Sequence, residues 1–170
     1  MNHPDAAALT VLGGYLRNGF LHRAIREEGG AYGGGASQDS MLGAFRMYSY
    51  RDPRLSETLE DFDHAIQWLT DTTPATQAIE ESILGIIASL DKPGSPAGEA
   101  KNAFHNRLFG RSDDVRRQFR SRILAVNGDD LQRVGTRYLT PDKANTAVMS
   151  DNGSTDAAKK LGLEVCKLDS

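Results

Sequence analysis

Arg26 and Tyr32 are the side chains best suited to chemistry in this chain, because Arg26 precedes a dense glycine cluster and Tyr32 interrupts it. The cluster consists of Gly29, Gly30, Gly33, Gly34 and Gly35. Glycine packs no side chain and costs conformational entropy, so such a cluster indicates positive φ angles or the close approach of another backbone. An extended polypeptide could add to a sheet edge here through backbone hydrogen bonds. The phenol and the guanidinium could then donate to a carbonyl oxygen that gains negative charge.

A second interpretation of this pair needs no ligand. Arg26 could be a surface arginine at the end of a helix, and Tyr32 could simply pack on a hairpin. The glycines around Tyr32 weigh against this interpretation, since they leave the ring little to pack on and leave room for an extended ligand. We therefore take the pair as a candidate site on a substrate-facing edge.

The glycine cluster does not match the glycine-rich loops that bind phosphate. A P-loop needs a lysine directly after its last glycine, and no lysine follows Gly34 or Gly35. The dinucleotide pattern G-x-G-x-x-G begins at Gly33 but has Gln38 at its last position. Both motifs lead from a strand into a helix N-terminus, whereas these glycines follow a predicted helix, whose C-terminal dipole disfavours an anion. Nucleotide binding is therefore excluded.

The histidines do not form a recognisable metal motif. They are His3, His22, His64 and His105, and none stands in H-E-x-x-H or H-x-x-E-H spacing. His22 with Glu27 or Glu28 is a conceivable pair, but two side chains do not make a zinc site. A serine hydrolase has no support either, because the chain contains no G-x-S-x-G motif. We predict no metal or other cofactor in this chain.

Three predicted elements position the candidate site. Apolar residues at helical spacing predict a long helix over residues 4–28, closed by Gly29 or Gly30. Two strands follow at residues 31–38 and 42–50, with the polar residues 38–41 as a hairpin link. Glycines within the helix would let it lie close against the sheet.

Further helices and a β-type tail complete the predicted fold. We predict helices near residues 55–69, 79–90, 100–109 and 112–123, a short one starting at Asp129 or Asp130, and one near 155–161, with a flexible loop at 91–98. Residues 144–150 and 163–168 are predicted as strands on either side of the last helix, which favours a parallel relationship between them. This order predicts a single α+β domain over residues 1–170, a two-layer sandwich of one sheet covered by helices.

Composition narrows the classes of partner. The chain has 170 residues, a formal net charge of −3 and 39% hydrophobic residues, which is typical of one ordinary globular domain. The negative charge gives no support for a nucleic-acid partner. No apolar run is long enough to span a bilayer, so we expect no membrane partner. The single cysteine, Cys166, excludes an internal disulfide and favours a reducing, intracellular compartment.

Three segments carry a resemblance to a known family. They are residues 3–9 (HPDAAAL), 21–36 (LHRAIREEGGAYGGGA) and 49–53 (SYRDP). They resemble the final domain of presequence-protease-type zinc metallopeptidases, which belong to the pitrilysin and insulinase superfamily of inverted zincins. The similarity runs through nearly the whole chain.

The resemblance implies a function for the candidate site. Enzymes of this family consist of homologous α+β domains, with a mixed, mainly antiparallel sheet in each, arranged around a closed chamber. Their first domain holds zinc, and their last domain contributes an arginine and a tyrosine to the substrate. At the matching positions, Arg26 and Tyr32 are the catalytic candidates. The substrate-binding candidates beside them are Gly29, Gly30, Ala31, Gly33 and Gly34.

The resemblance also implies what this chain lacks. Without an inverted zincin motif, the chain would depend on zinc held by another domain. We expect it to be the C-terminal domain of a larger four-domain peptidase, to lack the first strand or strands of its own sheet, and to be inactive alone. Its partners would be a peptide substrate and the other domains of the same polypeptide. Its location would be the bacterial cytoplasm or, in a eukaryote, an organellar matrix.

The family also leaves a non-catalytic alternative open. Domains of this superfamily diverge in role, and the chain could be an inert scaffold that only binds peptides or a partner. The intact pair of Arg26 and Tyr32 argues against that alternative, since a scaffold needs neither side chain.

Overall fold

A long N-terminal helix packs against a β-hairpin in the computed structural model, which describes residues 1–40 and 42–166. The α-helix α1 spans Ala6–Leu16 and continues without a break into a π-helical segment, Arg17–Glu28. The single helix predicted over residues 4–28 is confirmed, although its second half is wound more widely. A side chain on Gly13 would approach the Ser37 Cα to 3.1 Å, so this glycine allows the predicted close contact between helix and hairpin.

The predicted hairpin is confirmed with a small shift. Strand β1 covers Gly33–Asp39 and pairs antiparallel with β2, Ala44–Tyr50, with Gly33 opposite Tyr50. The predicted link at residues 38–41 starts too early, because Asp39 still pairs with Ala44. The predicted second strand also starts too early, since Leu42 donates its N–H to the Asp39 carboxylate at 3.1 Å and belongs to the turn. Met41 of that link lies outside the described residues.

Six further α-helices follow the hairpin within the described residues. They are α2 (Ser56–Asp71), α3 (Thr76–Leu90), α4 (Pro96–Leu108), α5 (Asp113–Leu124), α6 (Gly128–Tyr138) and α7 (Thr155–Lys160). All six were predicted, but α3, α4 and α6 begin earlier than expected. Ser95 accepts a hydrogen bond from the Gly98 N–H, so α4 starts inside the predicted 91–98 loop. Asn127, rather than Asp129 or Asp130, caps α6, and Asp130 completes a capping box with it.

The two strands predicted near the C-terminus are wrong where the structure describes them. Residues 144–150 and 163–166 form no strand, and residues 167 and 168 lie outside the described residues. The parallel pair predicted across α7 is therefore wrong as well. A β-type run needs a neighbouring strand and an apolar face to pack on. Residues 141–150 are exposed along their whole length instead. The α+β class is confirmed, and the sheet of the described residues has two antiparallel strands.

The first helix forms the centre of the core. Its fully buried side chains are Val11, Leu12, Leu16, Leu21 and Ile25. They pack with residues from the surrounding helices, chiefly Leu69, Ile123, Leu131 and Val134. Helix α4 contributes no buried residue to this core. Among the described residues, no helix is both long and apolar enough to cross a membrane.

Candidate functional site

The glycine loop begins as the cap of the π-helical segment. Gly30 adopts a φ of +78°, a conformation that favours glycine. Its N–H donates to the Arg26 carbonyl at 3.2 Å, and the Ala31 N–H donates to the Ile25 carbonyl at 3.1 Å. These two bonds satisfy carbonyls at the helix end and turn the chain toward β1. The predicted glycine cap is confirmed.

The cap is held from the opposite side by Arg54. Its Nη2 donates to the Ala24 carbonyl at 3.2 Å and to the Asp61 carboxylate at 3.0 Å. A Cβ built on Gly29 would overlap this guanidinium and would also lie 2.5 Å from the Ile25 carbonyl oxygen, so both neighbours require a glycine here. The positive charge lies at the C-terminal end of the helix, where the helix dipole favours a cation.

A buried carboxylate fixes the loop that carries Arg54. Asp52 accepts the backbone N–H of Arg54 at 3.0 Å and the hydroxyl of Thr58 at 2.7 Å. Thr58 is buried, and only 6% of the Asp52 side chain is exposed. The segment between β2 and α2 is therefore rigidly attached to the first turn of α2 and, through Arg54, to the glycine cap.

Tyr32 extends from this frame into solvent. Its side chain is 67% exposed, and its hydroxyl forms no hydrogen bond within the described part of the chain. Its backbone N–H donates to the Arg51 carbonyl at 3.3 Å. Its ring meets the Tyr50 ring edge-on at 6.0 Å, and the Arg51 guanidinium lies 5.8 Å from its centroid. Tyr50 and Arg51 thus contact the Tyr32 ring, while the Tyr32 hydroxyl stays available to donate a hydrogen bond.

Arg26 also presents an unused polar group. It lies in the last turn of the π-helical segment and is exposed, and its guanidinium forms no hydrogen bond or ion pair in residues 1–40 and 42–166. Its neighbours on the same segment differ, because Arg23 bonds Glu28 at 2.8 Å and His22 approaches Glu27 at 3.3 Å. Arg26 precedes the glycine cap and Tyr32 follows it, and within the described residues no hydrogen bond joins their side chains.

The glycines of β1 serve two different purposes. A Cβ on Gly33 would meet nothing within 4 Å, so this residue leaves open space beside Tyr32, as the sequence predicts. A Cβ on Gly34 would lie 2.8 Å from the Ile25 side chain, and one on Gly35 would lie 2.8 Å from the Arg17 side chain. The interpretation that all these glycines open room for a ligand is therefore wrong for Gly34 and Gly35, which let the helix lie close to the strand.

One edge of β1 has no strand beside it in the structure. The strand pairs with β2 along its whole length, and the described residues contain no other strand. An extended segment of backbone could pair with this second edge. Tyr32 immediately precedes the strand, so a ligand on that edge would run past it.

The described residues do not fit a metal ion. They contain no group of three or more histidine, cysteine or acidic side chains that could bind one. The pair of His22 and Glu27 supplies two exposed ligands at most. A structural or catalytic zinc site needs at least three protein ligands.

A second polar cluster joins the start of α1 to α6. Asp5 is 4% exposed and accepts hydrogen bonds from Tyr138 at 2.7 Å and from Arg133 at 2.7 Å. Arg137 approaches the same carboxylate at 3.4 Å. The bonds from Tyr138 and Arg133 hold the pKa of Asp5 below its ordinary value, against the opposing effect of burial. Asp5 belongs to residues 3–9, one of the segments that carry the family resemblance. Its hydrogen bonds to α6 explain why an acid stands at this position.

Sequence reasoning missed Arg51 and Arg54. Residues 49–53 carried part of the family resemblance, but neither arginine was given a role at the site. The sequence does contain a signal for them, because charged residues follow the predicted strand directly. They stand in a loop that must turn back toward the helix, Arg51-Asp52-Pro53-Arg54. Periodicity cannot show which glycine such an arginine would cover.

Comparison with known proteins identifies the family of this chain. The family model described as PreP C-terminal domain matches residues 5–147. The mitochondrial presequence protease of Mus musculus is 40% identical over 136 residues, which cover 80% of this chain and 13% of the relative. That of Saccharomyces cerevisiae is 39% identical over 138 residues, 81% of this chain and 14% of the relative. That of Yarrowia lipolytica is 36% identical over 159 residues, 93% of this chain and 16% of the relative.

The match covers most of this chain but a small part of each relative. The chain spans about a seventh of the length of these proteases. The matched residues include the helix, the glycine cap, the hairpin and the loop that carries Arg54. The chain belongs to the PreP C-terminal domain family.

Proposed function

We propose that this chain is the C-terminal domain of a larger, zinc-dependent peptidase that degrades unstructured peptides. In that enzyme Arg26 and Tyr32 bind the substrate and stabilise the transition state. The observation that carries the proposal is that the hydrogen-bond donors of both side chains are unused. Both flank one glycine cap, and both keep their donor groups unused within the described residues. The similarity to presequence proteases supports the reaction class.

The chemistry assigned to the pair follows from the peptide bond. When a peptide carbonyl is attacked, its oxygen gains negative charge, and donors fixed in advance stabilise that charge most effectively. The Tyr32 hydroxyl would donate to this oxygen. The Arg26 guanidinium would bind a neighbouring carbonyl or carboxylate of the substrate, with a charge-assisted hydrogen bond.

The zinc of such an enzyme would be held by its first domain, as the family resemblance implies. There it would activate the attacking water. The described residues of this chain offer no fitting ligand set for zinc, so their proposed contribution is to bind the peptide and to stabilise its transition state. We expect the isolated chain to be inactive.

The peptide would lie along the glycine-rich side of the hairpin. Gly33 leaves space beside Tyr32, and the unpaired edge of β1 could supply backbone hydrogen bonds. Gly29, Gly30, Ala31 and Gly34 would take part through the shape of the backbone, because their own surroundings are already fixed by the cap and by the helix. The proposed location is an organellar matrix in a eukaryote, as the names of the relatives suggest, or the cytoplasm in a bacterium.

One observation favours the scaffold alternative. Helix α4 buries no residue, and Phe104 and Leu108 on it are each 64% exposed. Apolar side chains exposed in this way are typical of a surface that another domain covers. A docking role for α4 is compatible with the catalytic proposal, whereas a purely scaffolding domain would make Arg26 and Tyr32 dispensable.

Replacement of a single hydroxyl tests the proposal. In the full-length peptidase, Tyr32→Phe should lower kcat by about 10²–10³-fold, the usual effect of removing such a donor. Zinc content and thermal stability should not change. Tyr48→Phe is the matched control, since Tyr48 is another exposed tyrosine of the same hairpin, on β2. Equal turnover in Tyr32→Phe, Tyr48→Phe and the unmodified enzyme would leave only the scaffold alternative.

A further inference from the structure

Arg51 has a backbone conformation that its residue type rarely adopts. Its φ is +49°, and it is the one residue other than glycine with a positive φ among the described residues. Such a conformation is disfavoured by contact between the Cβ and the backbone, so it persists where the surrounding structure imposes it. Glycine or asparagine would adopt it more easily. The arginine at this position therefore needs a reason in its side chain.

The strained residue makes the backbone contact that orients Tyr32. The register of the hairpin ends with Gly33 opposite Tyr50. The Tyr32 N–H donates to the Arg51 carbonyl at 3.3 Å and so adds one more bond beyond that pair. Tyr32 thereby stays aligned with β2 although it precedes β1.

The side chain of Arg51 contacts the same tyrosine. Its guanidinium lies 5.8 Å from the ring centroid of Tyr32 and 5.4 Å from that of Tyr50. Both distances are within the range of cation–π attraction. The two rings meet edge-on at 6.0 Å, so the cation and both rings form one cluster. Arg46 on β2 is bound to the Asp39 carboxylate, whereas Arg51, directly after β2, has no carboxylate partner within the described part of the chain.

We propose that Arg51 is a positioning residue for Tyr32 in the peptidase reaction. This inference rests on the proposed function of Tyr32. A tyrosine that is 67% exposed has little packing to hold it, and the Arg51 cluster supplies the missing constraint. Donors held in place before reaction lose less entropy and need less reorganisation when the carbonyl oxygen becomes charged. Arg51 would thus act on kcat through the tyrosine, without touching the substrate.

Variants of the full-length peptidase test this role. Their kcat and KM are measured with an internally quenched fluorescent peptide of unstructured sequence as the substrate. Arg51→Met keeps the length of the side chain and the same backbone strain but removes the cation. Because two weak cation–π contacts are lost, kcat should fall roughly 5- to 30-fold, with KM within about twofold of its original value. Arg51→Lys should recover part of the loss, since an ammonium also attracts both rings. Arg111→Met is the matched control, because Arg111 lies over a different ring, that of Phe109, at 5.7 Å.

A double variant separates positioning from direct substrate binding. In a Tyr32→Phe background the hydroxyl to be positioned is absent, so Arg51→Met should cause no further loss of kcat. A full additional loss in that background, or a kcat unchanged by Arg51→Met alone, overturns the positioning role while the proposed function stands. If Tyr32→Phe itself leaves kcat unchanged, the proposed function fails, and this inference fails with it. Thermal midpoints equal to that of Arg111→Met establish that every variant is folded.

Discussion

The guanidinium of Arg54 occupies the space into which a side chain on Gly29 would project. Arg54 reaches this place from the loop after β2, and it binds the Ala24 carbonyl of the helix and the Asp61 carboxylate of α2. The glycine cap, the hairpin exit and the second helix are therefore joined at one point. This junction, together with the glycine loop, holds the backbone segment that carries Arg26 and Tyr32.

Replacement of Gly29 should destabilise the fold. In Gly29→Ala the new Cβ would overlap the Arg54 guanidinium and would lie 2.5 Å from the Ile25 carbonyl oxygen. Overpacking of this kind costs about 1–3 kcal/mol, which corresponds to a fall in Tm of roughly 2–12 °C for a chain of this size. Gly33→Ala is the control, because a Cβ there meets nothing within 4 Å. Thermal unfolding of the chain, followed by circular dichroism, measures the Tm of both variants. An unchanged Tm for Gly29→Ala would mean that the Arg54 side chain can move aside without loss of stability.

The open space at Gly33 should matter for peptide binding and not for folding. In the full-length peptidase, Gly33→Val would place a branched side chain beside Tyr32, where a peptide on the β1 edge would run. We expect KM for an unstructured peptide to rise about tenfold or more, the effect of roughly 1.4 kcal/mol of lost binding. The Tm should stay within about 1 °C, because surface substitutions away from packed features have small effects. A rise in KM that appears only together with a fall in Tm would contradict a direct role in binding.

Arg26 should be required for activity although no residue of the described chain depends on it. Its guanidinium is unpaired there, so its removal costs the fold little. In the full-length enzyme, Arg26→Ala should lower kcat/KM by roughly 10- to 100-fold, the loss of one charge-assisted hydrogen bond. Arg26→Lys should restore only part of it, since an ammonium lacks the planar fork of the guanidinium. Arg23→Ala on the same segment, where the arginine binds Glu28, is the control. Equal kcat/KM in the Arg26 and Arg23 variants would remove Arg26 from the site.

The elements of the fold that rest on local patterns could be predicted from the sequence. Periodicity and residues close in the chain were enough to predict the helix over residues 4–28, its glycine cap, the hairpin and the later helices, and these are confirmed. The predicted strand at residues 144–150 failed because a strand requires a partner edge, and no local pattern shows whether one exists.

The candidate site was predictable only in part, for the same physical reason. Arg26 and Tyr32 stand out because they are close to the glycines in sequence. Arg51 and Arg54 were missed because their partners are distant in sequence: Tyr32 lies 19 residues before Arg51, and Gly29 lies 25 residues before Arg54. Likewise Gly34 and Gly35 looked like open positions, because the sequence could not show that Ile25 and Arg17 cover them.

The buried acid at the start of α1 should make stability depend on pH. Bonds from Tyr138 and Arg133 lower the pKa of Asp5 in the folded chain, so its charged form stabilises the fold. That stabilisation is fully present above the ordinary pKa of about 3.9 and is lost as the pH falls through the lower, folded value. Asp5→Asn should therefore lower the Tm at pH 7 by about 2–8 °C, for roughly 1–2 kcal/mol of lost hydrogen bonding to partners that are themselves partly exposed.

The difference between Asp5→Asn and the unmodified chain should shrink as the pH falls below about 4, because protonated aspartic acid resembles asparagine in charge. Asp63→Asn is the control, since Asp63 is exposed on α2 and forms no hydrogen bond or ion pair within the described residues. Calorimetric scans between pH 7 and pH 3 measure both variants. A difference that stays constant across this range would show that the carboxyl stabilises the chain by its shape and not by its charge, because only the charge is removed by protonation.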